Sequence, residues 1–388
     1  MENKMQFHGT GREFFGIWIV NIVLSVLTLG IYSAWAKVRT KKYFYGNSEL
    51  AGSRFDYHAT PIQILIGRII AVSAFIIWYV VGQFFPVFSV ALLLAGIAIM
   101  PWLARNNARF DARMTSYRNV RLNFTGSLLG AYTALLGRGS VLFIVFIAFG
   151  TFASAPTNGW VTFIFVMSGL IAGLFTFAWV MKGVASYFAN GYGYGKLTFE
   201  AELSTGYFVR TYLGAIGIAL CASVGILLFG GVIVFLIGDS VIPNIEAFDW
   251  ESFNVSDMSS LFSMFAVLLL AYAMMFLSML MASAYIASRI RNHVFSLMQV
   301  GDTGDYRLSS NMKTLDYTVL IITNFLLQVV TLGLARPWVK VRTARYLLSV
   351  TSVHGDLDAL SVYEDESNVK SSIGDETSQV FDLDIGIS

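Results

Sequence analysis

Three arginines, Arg68, Arg138 and Arg210, follow Phe55, Phe124 and Phe199 by 13, 14 and 11 residues, each a short way into an apolar run. A guanidinium stays charged at any physiological pH and offers a planar fork of donors that suits phosphate and carboxylate. Counted from Pro61, Arg68 stands about 10 Å into its helix at 1.5 Å per residue. From that depth a long side chain can reach the headgroup layer. Two chemistries follow: anchoring to lipid phosphate, or convergence of the three arginines on a central anion-binding vestibule.

Catalytic patterns are poor by comparison. The four histidines, His8, His58, His293 and His354, are scattered, and no spacing suits a zinc site. Gly191-Tyr192-Gly193-Tyr194-Gly195-Lys196-Leu197-Thr198 has the glycines and lysine of a phosphate loop, but Leu197 stands where a metal-binding hydroxyl should follow the lysine. The single cysteine, Cys221, excludes an intramolecular disulfide and lies in an apolar run. No enzyme activity, metal or cofactor is expected.

The elements that position these arginines are membrane helices. Hydrophobic residues make up 56% of the 388-residue chain and charged residues 13%, against roughly 25% charged in soluble domains. Eight stretches are long and apolar enough to enter a bilayer: about 14–35, 61–85, 87–104, 128–152, 160–181, 207–237, 259–287 and 317–335. No Asp or Glu lies inside the middle six, which disfavours a carboxylate proton relay.

Charge fixes the parity. If 61–85 through 259–287 cross as three hairpins, the far-side loops 82–86, 153–159 and 238–258 hold no Lys or Arg, and the third holds Asp239, Glu246, Asp249, Glu251 and Asp257. All 26 bases then fall on or near the cytosolic side, with both termini. Segments 14–35 and 317–335 are therefore expected to enter and return on one side or to lie at the interface. An alternative in which residues 1–36 form a cleaved leader is disfavoured, because the apolar run is too long. Residues 1–355 read as one membrane domain. Residues 356–388 carry nine acids against Lys370 and read as a disordered acidic tail.

The chain also matches itself. Asn21, Thr28, Leu29, Gly30, Trp35, Lys37, Val38, Arg39, Thr40 and Tyr43 recur 303 positions later as Asn324, Thr331, Leu332, Gly333, Trp338, Lys340, Val341, Arg342, Thr343 and Tyr346. Such self-similarity marks a protein built from copies of one unit. Weaker matches join Trp35, Tyr43, Phe44 and Phe55 to Trp179, Tyr187, Phe188 and Phe199, and Arg105-Asn106 to Arg291-Asn292. The glycine of each Thr-Leu-Gly permits a bend, and Asn21 and Asn324 place a polar amide at membrane depth. Trp35, Trp102, Trp179 and Trp338 are expected in the interfacial aromatic belt, with Lys37, Arg39, Lys340 and Arg342 on lipid headgroups. Short extended segments at 54–58, 121–125 and 196–200 alternate as cytosolic strands would. The expected fold is thus an all-α polytopic membrane protein: six spans in three repeated hairpins, with re-entrant or interfacial segments at both ends.

The string Asn21…Thr28-Leu29-Gly30-Ile31-Tyr32…Trp35-Ala36-Lys37-Val38-Arg39…Tyr43, preceded by Phe7-His8-Gly9-Thr10, resembles the YjgN-like family of bacterial inner-membrane proteins of unknown function. The resemblance spans residues 5–355 and departs at Ala335-Arg336-Pro337, where the first copy has Tyr32-Ser33-Ala34. It implies a bacterial inner membrane and brings no reaction, ligand or catalytic residue with it.

Two functions fit. The leading expectation is transport of an anionic solute or lipid, because repeated hairpins without catalytic residues suit a carrier. The alternative is a non-catalytic organiser that binds anionic membrane lipids. Nucleic acid is excluded as a partner, since the bases are interleaved with membrane segments.

Overall fold

The computed structural model describes residues 1–155, 158–241, 255–301 and 304–357. Its first strands, β1 (Glu2–Lys4) and β2 (Gln6–Phe7), lead into α1 (Gly11–Leu27) and α2 (Ser33–Gly46). Strands β3 (Ser48–Leu50) and β4 (Ser53–Tyr57) precede α3 (Pro61–Phe84) and α4 (Pro86–Met114). Next come β5 (Thr115–Tyr117), β6 (Val120–Phe124), α5 (Leu128–Ala131), a π-helical turn Tyr132–Gly137, α6 (Arg138–Ser154) and α7 (Gly159–Ala189). Then β7 (Tyr192–Tyr194) and β8 (Leu197–Glu200) lead to α8 (Thr205–Val241) and α9 (Val255–Leu297). The order ends with β9 (Gln299–Val300), β10 (Tyr306–Ser310), α10 (Thr314–Val330), α11 (Arg336–Ser349) and β11 (Thr351–His354).

Entry signals in the sequence start the helices. Thr10 accepts from the Glu13 amide, Ser127 from Gly130 and Asn158 from Val161, each filling one of the donors a helix start leaves open. Thr60 and Gln63 form a reciprocal capping box ahead of Pro61. Among the described residues six helices are long and apolar enough to cross a membrane: Pro61–Phe84, Pro86–Met114, Leu128–Ser154, Gly159–Ala189, Thr205–Val232 and Phe265–Leu297. They coincide with the six middle stretches of the sequence. The second runs ten residues past its expected end at 104, carrying Pro101 in its interior.

The all-α expectation is corrected by an 11-stranded antiparallel sheet. Segments 54–58, 121–125 and 196–200 lie in β4, β6 and β8. Each is one arm of a hairpin whose other arm is only three residues long, too short for alternation to reveal. The two ends of the sheet order are β1 and β2, and only Met5 separates them in the chain. β1 pairs with β11 while β2 pairs with β3, and Met5 itself donates to Thr351 O at 3.0 Å. Residues 2–7 thus pair with β11 along their first part and with β3 along their last, joining the two ends of the sheet order into a ring. Leu50, Tyr117, Val120, Tyr194 and Leu357 fill it, backed by Met5, Phe55 and Phe199.

Every helical excursion leaves one strand and returns to a strand paired with it. α1–α2 joins β2 to β3, α3–α4 joins β4 to β5, α5–α7 joins β6 to β7, α8–α9 joins β8 to β9, and α10–α11 joins β10 to β11. The run 14–35 is not one helix, because α1 stops at Leu27 and α2 starts at Ser33. Likewise 317–335 is divided between α10 and the start of α11.

Two compact units divide the chain. Met1–Val209, Ile290–Met312 and Leu327–Ser388 form the unit that contains the whole sheet. There Ala104, Ala108 and Ala112 of α4 pack against Phe124 and Phe188, and small side chains let the backbones approach. Arg210–Arg289 and Lys313–Leu326 form the other unit. Within it Gly214 lies where a Cβ would meet the Tyr285 hydroxyl at 2.5 Å, and Ser288 hydrogen-bonds Thr314 at 2.8 Å. The acidic tail from 358 onward, and residues 156–157 and 242–254 of the expected far-side loops, lie outside the described residues.

Candidate functional site

The two signature copies fold alike, bond for bond. Thr28 Oγ1 donates to Leu24 O at 2.7 Å and accepts from the Tyr32 amide at 2.9 Å. Thr331 Oγ1 donates to Leu327 O at 2.7 Å and accepts from the Ala335 amide at 3.0 Å. Leu29 and Gly30 have φ of 50° and 90°, and Leu332 and Gly333 have 49° and 86°. Gly30 N reaches Ser25 O and Gly333 N reaches Gln328 O, both at 2.7 Å, closing the helix end in a left-handed turn. Leu29 and Leu332 are 95% and 93% exposed. An apolar residue in a strained conformation is thus offered to the surroundings at the turn that ends α1 and at the turn that ends α10.

The opposite ends of these hairpins meet the sheet. The Tyr43 hydroxyl on α2 accepts from the Thr10 amide at 2.8 Å and donates to its carbonyl, joining the end of α2 to the start of α1. Burial pushes the Tyr43 phenol above its ordinary pKa. Tyr187 on α7 makes the same kind of bond to Ser127 O at 3.0 Å. Asn21 is buried and reaches Ala36 O at 3.5 Å, and Asn324 is buried in α10.

The tryptophans and bases between tip and sheet divide in two groups. Trp35 is half-buried and stacks on Tyr32 at 6.1 Å, and Trp102 is half-buried. Trp338 is exposed on one face, while its other face lies on Phe15 and against Gly11, where a Cβ would come within 2.3 Å. Lys37 is half-buried. Arg39, Lys42, Lys340, Arg342 and Arg345 are exposed along α2 and α11.

Of the three arginines of the expected vestibule, Arg68 and Arg138 each meet a neighbouring helix. Arg68 Nη1 donates to Ser33 Oγ, directly after the first signature turn. Arg138 follows the π-helical turn and lies over Trp179 on α7, 4.8 Å from the ring centre. Arg210 is exposed on α8. None of them lines the cavity described next.

That cavity, about 530 Å3, lies where the end of α2 faces α11 and the end of α9. It is lined by Phe44, Tyr45, Ser48, Arg291, Val339, Lys340, Thr343, Ala344, Leu347 and Leu348. Arg291 went unmarked as a site residue in the sequence. The signal was its match to Arg105, whose Nε donates to Gly126 O at 2.7 Å where α5 begins. Two further structural ties had no sequence signal. Lys41 bridges α2 to Asp111 of α4 at 2.7 Å. Arg118 occupies a left-handed turn position with φ of 48° and donates to Ser53 Oγ, Ala51 O and Leu357 O. The strained backbone costs roughly 1–3 kcal/mol, and three hydrogen bonds from a charged donor, each worth roughly 1.5–3 kcal/mol, offset it.

No group of three or more metal-ligating side chains lies together among the described residues. The family model that matches this chain, DUF898, is described as bacterial protein of unknown function and covers residues 2–380. An inner membrane protein YjgN of Escherichia coli O157:H7 is 25% identical over 369 residues, covering 93% of this chain and 90% of the relative. One of the same name from Salmonella typhimurium is 26% identical over 379 residues, covering 95% and 93%. No solved structure matches.

Proposed function

The chain belongs to the DUF898 family of bacterial proteins of unknown function, whose relatives named above are inner-membrane proteins, and we propose that it organises anionic lipids at the cytosolic face and performs no catalysis. The observation that carries this reading is the placement of the exposed bases. Arg39, Lys42, Arg342 and Arg345 stand on the two helices whose hairpins end in Leu29 and Leu332. Arg39 is six residues from Ser33, about 9 Å along the helix, so an apolar tip within the half-bilayer leaves the bases at the headgroups. α1 and α10 are 17 residues each, about 25 Å, and a hydrocarbon core of about 30 Å favours hairpins that enter and return.

The remaining six long helices cross the membrane in this account, and the sheet lies in the cytosol with β1 and β11. Pairing of each departing strand with its returning partner supports an even number of crossings in every excursion. The base-free far loops supply the orientation. The chain is then five copies of one design, a strand pair followed by a helical hairpin, with the fifth pair supplied by β1–β2 and β11.

Transport gains less support. The ring is packed with Leu50, Tyr117, Val120 and Tyr194, and Arg68 and Arg138 serve neighbouring helices rather than a common path. The test extracts the protein with its surrounding lipid from cells. Enrichment of anionic lipid over the bulk membrane is expected, and a variant with Arg39, Lys42, Arg342 and Arg345 changed to Gln should insert normally and lose that enrichment. Equal lipid composition around both proteins, or solute flux that depends on Arg68 and Arg138, would refute the proposal.

A further inference from the structure

We propose that the cavity between the end of α2 and α11 is a selective site for one anionic phospholipid, with its phosphate on Arg291 and an acyl chain laid along α11. This rests on the lipid reading above and adds a defined site to a general surface property. A cavity of about 530 Å3 lies in the range of small-ligand sites. Its walls have two characters. Arg291 and Lys340 bring positive charge and no carboxylate lines the space, which selects an anion. Phe44, Val339, Leu347 and Leu348 are apolar, and a free phosphate would leave that surface against water. An amphiphile satisfies both halves.

Arg291 is positioned in advance. Its guanidinium carbon lies 4.4 Å from the centre of the Phe295 ring, and Nη2 donates to Thr351 Oγ1 at 3.0 Å. Thr351 in turn donates to Leu347 O at 2.7 Å. A fork held in this way loses little freedom on binding phosphate. From Val339 to Leu348 the wall follows nine residues of helix, about 14 Å, room for a headgroup and the first part of a chain. Trp338 and Lys340 are exposed on the same helix, which the lipid reading places in the interface, so a membrane lipid has access. The chain's own acidic segment is a weaker occupant. It leaves from Leu357, which is buried in the sheet ring and held there by Arg118.

The test uses the full chain in bilayers containing phosphatidylglycerol with a photoactivatable group on its acyl chain, and maps the label by peptide mass spectrometry. Label is expected within 339–348 and at 44–48, competed by unlabelled phosphatidylglycerol and not by phosphatidylcholine or glycerol phosphate. Ala344→Phe, which fills the space, and Arg291→Gln should each lower that label about tenfold while the general enrichment of anionic lipid persists. Label confined to annular positions near Leu29 and Leu332 would overturn the site. So would equal competition by glycerol phosphate, or a cross-link from 358–388 into the cavity. Anionic enrichment without cavity label refutes the site alone, whereas loss of both refutes the lipid reading. The map on the unsubstituted chain decides the matter even if Ala344→Phe misfolds.

Discussion

The guanidinium of Arg138 lies over the indole of Trp179, 4.8 Å from its centre, and Gly183 one turn further along α7 leaves the room. A Cβ on Gly183 would fall 1.7 Å from Nη1 and 2.6 Å from Cδ of that arginine. Gly183→Ala therefore has to unseat Arg138, losing a cation–π contact of roughly 0.5–2 kcal/mol. Gly139→Ala is the matched control, since nothing lies within 4 Å of its Cβ position. It should be neutral or stabilising by up to roughly 1 kcal/mol. Thermal unfolding of the two variants in one detergent compares them directly.

Leu29 and Leu332 share a left-handed backbone 303 residues apart, so substitutions in the two turns should have equal cost. Gly30→Ala and Gly333→Ala meet no neighbouring atom, which leaves backbone strain of roughly 1–2 kcal/mol as the whole effect. Leu29→Gly and Leu332→Gly relieve strain of the same kind and should raise the midpoint. Denaturant unfolding that moved in opposite directions for the two copies would separate turns that the sequence makes alike.

Tyr194 donates from its hydroxyl to Tyr117 O at 2.8 Å inside the ring, and burial pushes its phenol up to about 12. The neutral form is the folded form. Its contribution to stability is fully present below pH 10, the unfolded value, and is lost as pH rises from 10 through about 12. Tyr194→Phe should cost roughly 1 kcal/mol at neutral pH for the lost hydrogen bond and should flatten the alkaline fall. Unfolding midpoints measured from pH 8 to 12 for both proteins check the sign.

Much of this architecture was legible, and what was hidden has physical causes. Hydropathy located Pro61–Phe84 and Leu128–Ser154 within two residues because lipid demands a continuous apolar run. Thr28-Leu29-Gly30 announced a break through its glycine, and the break is there. The ring was invisible, since arms such as Ser48–Leu50 are too short to alternate and its closure pairs Asn3 with Val353, 350 residues away. The similar spacing of Arg68, Arg138 and Arg210 after an aromatic, 13, 14 and 11 residues, suggests a common centre. Register along a helix does not say which neighbour a side chain meets, and Ser33 and Trp179 come from different hairpins. In the sequence Arg291 stands out only as a repeat of Arg105, because nothing local reveals that α2 and α11 line a cavity beside it.

The most direct measurement is labelling of single cysteines, in a chain with Cys221→Ala, by a membrane-impermeant maleimide on intact cells. Asn119→Cys sits at the tip of a sheet hairpin and Phe85→Cys between α3 and α4. Phe85→Cys should react from outside, through a permeable outer membrane, while Asn119→Cys should react only after the inner membrane is broken. Labelling of Asn119→Cys in intact cells would place the sheet and its basic helices on the periplasmic side and contradict the account.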